Sequence, residues 1–216
     1  MAGDVRATKT ENGSGDESDE RKQDAGDERW GQRSSILPSP FVVDWAARLG
    51  ARARASGSRP EPPPRRRALD VATGRGRHLM PLARGGFRTF GVDARFDALV
   101  DARAMCSRSA IDVFLWCADL TRHPLPRAFF DVIVVTRYLQ RDLFGALADA
   151  LSPGGVLLYE TFTTAQLALG SGPRSPDHLL KPDELRERFG SLQIEFYEEE
   201  VVEPEALARL AARRPR

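Results

Sequence analysis

The fold of this chain follows from residues 67–93, which read RALDVATGRGRHLMPLARGGFRTFGVD. A short apolar run, Ala68 to Ala72, leads into a Gly-x-Gly turn. A segment with helical periodicity, Arg77 to Arg84, then leads into a second β-type run. Gly74 and Gly76 can adopt positive φ and leave room for a ligand beside the backbone. The stretch therefore predicts a strand, a ligand-binding loop, a helix and a second strand.

An acid closes the second of these strands. Asp93 comes 23 residues after Asp70, which is the separation typical of an acid that hydrogen-bonds ribose hydroxyls. Leu79 stands where a dinucleotide-binding loop would carry its third glycine, and no G-x-x-x-x-G-K-[ST] loop occurs. A Gly-x-Gly sequence is also a common turn, but the spacing to Asp93 favours a nucleoside site.

The same alternation of β-type and helical segments continues downstream. Further strands are predicted at Val113–Cys117, Phe130–Thr136 and Val156–Phe162, and the helices between them at Arg95–Cys106 and Leu143–Leu151. This order predicts a parallel, doubly wound α/β sheet with ligands across the carboxyl ends of its strands. Asp119 follows the third strand, where its carboxylate can accept from the exocyclic amine of adenine or serve as a turn or N-cap acid.

Two segments differ in composition from the rest. Residues 1–33 are polar and acid-rich, which predicts a disordered tail ahead of a single domain at 34–216. Within that domain, 51–67 is rich in arginine and proline and is either a solvated linker or an arm that contacts phosphates. The helix before it is predicted to have Ser39 as N-cap, Pro40 in its first turn and Gly50 at its end.

Composition excludes several classes of function. The net charge is +1, so no overall field draws the chain to nucleic acid or to a membrane. With two cysteines and three histidines, neither a disulfide framework nor a metal centre is expected. No stretch has the character of a secretory signal or a membrane span, so the expected location is the cytoplasm.

Several sequence blocks in order resemble class I S-adenosylmethionine-dependent methyltransferases. Within that superfamily the chain is similar to bacterial methyltransferases of the tellurite-resistance type, over residues 36–214. The resemblance implies S-adenosyl-L-methionine as cofactor and a Rossmann-like, mostly parallel, seven-stranded sheet with helices on both faces. It also implies that 206–213, although helical by propensity, is the last, antiparallel strand. The blocks are PSPFV (38–42), DVATGRGRH (70–78), GVD (91–93), ADL (118–120), FDVI (130–133), YL (138–139) and SPGGVLLYETF (152–162).

The resemblance also implies a role for eight positions. The methionine end of the cofactor would contact Asp70, Thr73, Gly74 and Gly76. The ribose would contact Asp93, and the adenine would contact Ala94, Asp119 and Leu120. Thr73 stands where the family often has glycine or cysteine, and a hydroxyl is tolerable there.

The acceptor half of the site is expected after the fourth and fifth strands. Methyl transfer by in-line displacement needs mainly a nucleophile held in line with the methyl group, so we expect Arg137, Tyr138, Glu160 and Arg174 to position the acceptor. Arg137 and Tyr138 can also be surface and packing residues. Arg174 lies with His178 in a long loop, Thr163 to Pro182, which we interpret as a lid.

The sequence favours a small molecule as the methyl acceptor. The alternative is RNA or protein docked through residues 51–67, although the lack of an Asn/Asp-Pro-Pro-Tyr block after the fourth strand argues against one type of base methylation. A cofactor-binding scaffold without activity is a more distant possibility. No membrane partner is expected, and the sequence leaves the acceptor atom and the oligomeric state open.

Overall fold

A computed structural model describes residues 37–55 and 66–216 of the chain. The predicted tail, residues 1–33, and the greater part of the arginine- and proline-rich segment lie outside the described residues.

Seven strands and five α-helices form within the described ranges. The helices are α1 (Pro40–Ala55), α2 (Leu79–Arg84), α3 (Phe96–Arg108), α4 (Phe144–Ala150) and α5 (Glu184–Arg188). The strands are β1 (Arg67–Val71), β2 (Arg88–Asp93), β3 (Val113–Cys117), β4 (Phe130–Thr136), β5 (Leu151–Phe162), β6 (Gln193–Val202) and β7 (Glu205–Arg213). Short 3₁₀ turns occur at Arg141–Leu143, Thr164–Leu169 and Pro176–His178.

The strands form one sheet in the order β3-β2-β1-β4-β5-β7-β6. Strands β1 to β5 are parallel, and β7 runs antiparallel to both β5 and β6. The predicted doubly wound, mostly parallel α/β fold is confirmed, and so is the antiparallel strand at 206–213. The strand order reverses between β1 and β4, which is where such sheets open a crevice for ligands.

Both faces of the sheet are covered. Along β4, Ile133 and Val135 pack into one core cluster and Val132 and Val134 into the other. Because side chains alternate between faces, a continuous β-branched run is what a strand buried on both sides requires. Helix α1 contributes its apolar stripe to the second cluster.

Helix α1 does not end at Gly50, contrary to the prediction. It continues to Ala55, and Gly50 lies where α1 meets the turn after α2. A Cβ on Gly50 would be 2.2 Å from the carbonyl oxygen of Gly85. The glycine therefore permits the close approach of two backbones and does not terminate the helix. Helix α2 begins at Leu79, two residues later than predicted, because the chain from Gly74 to His78 forms successive turns.

Candidate functional site

A cavity of about 970 Å³ opens at the carboxyl ends of the parallel strands. Its walls come from the loop after β1, the ends of β2, β3 and β4, and one side of α3. Six of the eight predicted cofactor positions line it: Thr73, Gly74, Asp93, Ala94, Asp119 and Leu120. Two of the four predicted acceptor positions, Arg137 and Tyr138, line it as well.

The loop after β1 presents its backbone to the cavity. Ala72 and Gly74 both have left-handed φ, of 51° and 52°, and the Thr73 N–H donates to the Val92 carbonyl at 2.9 Å. An added Cβ on Gly74 would meet no atom within 4 Å. Gly74 therefore leaves open space for a ligand, as the sequence predicts.

The surroundings of Gly76 differ from those of Gly74. A Cβ there would lie 2.7 Å from Leu79 Cδ1 and 3.0 Å from the Cβ of Ala102 on α3. The prediction that both glycines leave room for a ligand is thus met at Gly74, whereas the space beside Gly76 is filled by α2 and α3. The absence of a side chain at Gly76 therefore lets Leu79 and Ala102 pack closely against the loop.

Asp93 joins the ends of the first two strands. Its Oδ2 accepts from the Gly74 N–H at 2.7 Å and its Oδ1 from the Arg95 N–H at 2.9 Å, and the side chain is 10% exposed. A carboxylate offers about four acceptor positions. The two that the backbone does not use suit a pair of neighbouring hydroxyls in the cavity.

Asp70 lies behind the loop. It is 1% exposed, its Oδ2 accepts from the Thr73 hydroxyl at 2.6 Å, and its Oδ1 is 3.7 Å from His78 Nδ1. Asp70 therefore affects the cavity only through the residues that it contacts, Thr73 and His78. The hydrogen bond also explains why a threonine fits at position 73, since its hydroxyl already has an acceptor.

Asp119 is a turn acid that also lines the cavity. Its Oδ1 accepts from both the backbone N–H and the hydroxyl of Thr121, at 2.9 and 2.7 Å, which is the pattern of a turn acid. These hydrogen bonds lower the pKa of the exposed Asp119 carboxyl. The turn therefore holds a carboxylate at the cavity wall.

Tyr138 faces the same acids. Burial raises the pKa of its phenol, and the nearby charges of Asp119 and Asp93 raise it further. Its backbone carbonyl accepts from the hydroxyl of Tyr159 at 2.9 Å, which fixes the turn after β4. The ring of Tyr138 thus stands between the end of β4 and the acids on β2 and β3.

Arginines dominate the opposite end of the cavity. The Arg77 Nη2 donates to the Thr136 hydroxyl at 3.1 Å, and burial, with Arg137 nearby, lowers the pKa of Arg77. Arg137 has a left-handed φ of 52°. Its Nη2 donates to Glu205 Oε2 at 2.7 Å and its guanidinium lies 5.1 Å from the ring of Phe162, so the β6–β7 hairpin holds this side chain.

Glu160 and Arg174, the other two predicted acceptor residues, are not brought into the cavity wall. Glu160 is 3% exposed, and its Oε2 accepts from the Ser39 hydroxyl at 3.0 Å and from Arg209 Nε at 2.9 Å. Arg174 is exposed, and its Nη2 donates to the Gly170 carbonyl of its own loop at 3.2 Å. Glu160 therefore acts within a buried network behind the cavity.

Sequence reasoning did not find Arg77 and Thr136 as cavity residues. Thr136 ends β4 and Arg77 follows the second glycine of the loop. A search for polar side chains at the carboxyl ends of the predicted strands would have found Thr136. Arg77 gave no comparable signal, because a residue after a glycine turn can point in any direction.

The long loop after β5 is anchored at both ends. The buried amide of Gln166 donates from Nε2 to the carbonyls of Ser171 and Pro204, at 2.9 and 3.0 Å, and accepts from the Ala206 N–H at 2.7 Å. Arg141 donates to Leu179 O at 2.9 Å and pairs with Glu184. The loop is thereby joined to the β6–β7 hairpin and to the turn after β4.

Two features are absent from the described ranges, 37–55 and 66–216. They contain no group of three or more His, Cys, Asp or Glu side chains placed to hold a metal ion. They also contain no helix that is long and apolar enough to cross a membrane.

Part of this sequence matches a family model, and several solved structures have a similar fold. Residues 68–155 match the family model of a methyltransferase domain, whereas no curated protein matches the sequence. Among solved structures, TehB from Haemophilus influenzae is 15% identical and aligns over 89% of this chain and 67% of its own, with a TM-score of 0.64. An S-adenosylmethionine-dependent methyltransferase from Clostridium acetobutylicum is 14% identical over 92% and 100% of the two chains, with a TM-score of 0.64.

A third similar structure is the N-methyltransferase NodS from Bradyrhizobium japonicum. It is 18% identical over 82% of this chain and 98% of its own, with a TM-score of 0.58. At such identities the structures establish the fold, and the matched domain contains the loop after β1 and the ends of β2, β3 and β4. Residues 68–155 therefore match a methyltransferase domain, and the described residues have the fold of S-adenosylmethionine-dependent methyltransferases.

Proposed function

We propose that this enzyme transfers the methyl group of S-adenosylmethionine to a small-molecule nucleophile by in-line displacement. The observation that carries the proposal is the continuity of the cavity, which extends from the loop after β1 to the turn after β4. Its volume of about 970 Å³ is at the upper end of cavities for small ligands, roughly 300–1,000 Å³. One concave space can therefore hold a cofactor and a compact acceptor.

The residues of the cavity fit the proposed cofactor. Backbone groups at Thr73 and Gly74, supported by Asp70 and Gly76, would hold its methionine end, and Asp93 would accept from its ribose hydroxyls. Ala94, Asp119 and Leu120 would contact its adenine. When bound, the cofactor supplies a sulfonium whose methyl group is readily displaced. The protein then has to orient the acceptor and exclude water, and it needs a base only if the acceptor must lose a proton.

Arg137 and Tyr138 are the proposed acceptor-positioning residues, together with Arg77. All three line the cavity beyond the cofactor loop. Glu160 would support them from behind through Ser39 and Arg209. We assign Arg174 a role only in the loop after β5, because its guanidinium is exposed there.

The walls of the cavity support a small acceptor. The loop after β1, the ends of β2, β3 and β4 and one side of α3 all line it, so the cavity is concave. Such a shape suits a compact ligand better than the flat face of a macromolecule.

The arginine-rich segment ends on the opposite side of the sheet. Arg66 and Arg67 precede and begin β1, five residues before its cavity end, which is roughly 16 Å at about 3.3 Å per residue. The Arg66 guanidinium donates to Leu49 O at 3.2 Å, and that of Arg67 lies 3.9 Å from the ring of Phe129. A macromolecule docked on Arg66 and Arg67 would therefore have to present its acceptor group at the far end of β1.

The test follows a labelled methyl group. The full chain is incubated with methyl-labelled S-adenosylmethionine and cell extract, and small molecules, RNA and protein are then separated. We expect the label among the small molecules, and less of it there with the Asp93→Ala variant at the same low cofactor concentration. Label that accumulates in RNA or protein would overturn the proposal in favour of a macromolecular acceptor, and failure to label any fraction would favour a scaffold without activity.

A further inference from the structure

His78 lies at the centre of a buried polar network that joins α1 to the cofactor loop. The side chain is 1% exposed, and its Nε2 accepts from the backbone N–H of Ser39 at 3.1 Å. On the other side of the ring, Nδ1 lies 3.4 Å from the Thr136 hydroxyl and 3.7 Å from Asp70 Oδ1. The imidazole thus touches the residue before α1, the end of β4 and the end of β1.

This geometry assigns the proton on the ring. A backbone N–H can only donate, so Nε2 must present its lone pair to Ser39. The neutral ring then carries its proton on Nδ1, towards Thr136 and Asp70. A charged imidazolium would place a second N–H on Nε2, directly against the N–H of Ser39. The closed network therefore requires a neutral His78.

Ser39 is tied to a second strand as well. Its hydroxyl donates to Glu160 Oε2 at 3.0 Å, and the same oxygen accepts from Arg209 Nε at 2.9 Å. Pro40, the next residue, begins α1. One residue thus links the start of α1 to the loop after β1 and to β5, two places that lie 39 and 121 residues away in the sequence.

His78 lines the cofactor cavity itself and is also linked to the loop beside it. The Asp70 carboxylate that faces its Nδ1 accepts from the Thr73 hydroxyl at 2.6 Å, and Thr73 precedes the open position at Gly74. A displaced imidazole would leave Asp70 without this neighbour and the Ser39 N–H without an acceptor in a buried place. An unsatisfied buried group costs about 1–3 kcal/mol.

We propose that neutral His78 is a positioning residue for the methyl donor: held by Ser39, it fixes Asp70 and the Thr73–Gly74 loop against the cofactor cavity. A consequence is that cofactor affinity falls when the ring takes up a second proton. The proposal rests on the cofactor site and not on the identity of the acceptor.

The charges around the ring set the direction of the pH effect. Asp70 on β1 favours the imidazolium, Arg77 bonded to Thr136 opposes it, and Glu160 lies beyond the Ser39 hydroxyl. The Ser39 N–H also opposes the imidazolium and must move away before Nε2 can hold a proton. The closed network therefore holds one proton fewer on the ring than the opened one, so it is favoured at high pH and is weakened as the pH falls.

The experiment measures S-adenosylmethionine affinity by calorimetry at about pH 8 and about pH 5.5, on either side of ordinary histidine titration. For the unaltered protein we expect affinity about tenfold lower at the acidic pH, equivalent to the loss of one well-made hydrogen bond to a buried group. The His78→Gln variant should show little pH dependence, because its amide can accept from Ser39 and donate on its other side but cannot titrate. His78→Ala should bind weakly at both pH values.

His178→Gln is the matched control, because its histidine is exposed in the loop after β5, and it should keep the pH dependence of the unaltered protein. Ser39→Ala keeps the backbone N–H and should keep that dependence too. In hydrogen exchange corrected for intrinsic rates, residues 37–50 should lose protection at acidic pH in the unaltered protein but not in His78→Gln.

A His78→Gln variant with the full pH dependence of the unaltered protein would overturn the proposal, since another group would then be titrating. So would a folded His78→Ala variant with unaltered affinity at the higher pH. If His78→Ala fails to fold, the comparison of His78→Gln with the unaltered protein decides the question alone.

Discussion

The two ends of the cavity are built in different ways. The cofactor end uses backbone groups and single acids at the ends of β1, β2 and β3, as in the bond from the Gly74 N–H to Asp93. The end that we propose for the acceptor is held by side-chain pairs between distant segments: Arg137 in the wall pairs with Glu205, and Glu160 pairs with Arg209 behind the wall. The first end is therefore constrained by local sequence, whereas the second depends on how the last hairpin packs against the sheet.

Replacing each of the two loop glycines with alanine should give the largest effect. The pair should distinguish Gly74, which leaves room for a ligand, from Gly76, which permits close packing. We expect Gly76→Ala to lower the free energy of unfolding by about 2–3 kcal/mol, because the new Cβ crowds Leu79 and Ala102 and the φ of 81° is left-handed. Gly74→Ala should cost only about 1 kcal/mol of backbone strain but lower cofactor affinity, since its Cβ enters the cavity.

Chemical denaturation and calorimetry on both glycine variants check this pair. The distinction between the two positions would be lost if Gly74→Ala bound the cofactor normally, or if Gly76→Ala unfolded like the unaltered protein. Gly145→Ala is a useful reference in α4, because a Cβ there would meet no atom within 4 Å. We expect that change to be neutral or to stabilise the helix slightly.

Loss of the acid at the end of β2 should weaken the cofactor end specifically. Asp93→Ala removes the acceptor for the Gly74 and Arg95 N–H groups and the proposed partner of the ribose hydroxyls. We expect S-adenosylmethionine affinity to fall by about tenfold or more, as for the loss of a charge-assisted hydrogen bond. Calorimetry measures the change, with Asp112→Ala as the control, because Asp112 is exposed and lies just before β3. Unchanged affinity would remove Asp93 from the site.

The cavity residues at the ends of β1, β2 and β3 could be predicted from the sequence because their signals are short-range. The loop glycines, Asp93 and Asp119 each follow a strand that its own residues identify, and parallel strands bring such ends together. The role of Gly76 could not be read in this way, because α3, which fills the space beside it, is distant in sequence. The close approach of the Gly50 and Gly85 backbones could not be predicted for the same reason, since the two glycines belong to different parts of the sequence.

The acceptor end was harder to predict because its partners are far apart. Ser39 looked like a helix cap, yet its hydroxyl reaches Glu160, 121 residues away. Residues 206–213 have helical propensity but form β7, which lies between β5 and β6 with its inner residues buried. Pairing on both sides outweighs a preference of a few tenths of a kcal/mol per residue.

A change in the last hairpin should affect the acceptor end and leave the cofactor end intact. Glu205→Gln removes the carboxylate that pairs with the half-buried Arg137 guanidinium. We expect the free energy of unfolding to fall by about 1–2 kcal/mol, because a guanidinium with little access to water loses its counter-charge. Cofactor affinity should stay the same. Denaturation at two salt concentrations and calorimetry check both parts, and a matching fall in cofactor affinity would mean that the two ends are not separable.

Arg174→Ala should have the smallest effect. The guanidinium is exposed and bonded within its own loop, while Gln166 and Arg141 hold that loop to the rest of the molecule. We expect the free energy of unfolding to change by less than about 0.5 kcal/mol, as for most surface substitutions, and cofactor affinity to be unaltered. A change confined to the turnover of an identified acceptor would show that the loop closes over that acceptor, because the side chain could reach it only after such a movement. A loss of cofactor affinity would instead place Arg174 at the cavity and contradict the position described for it.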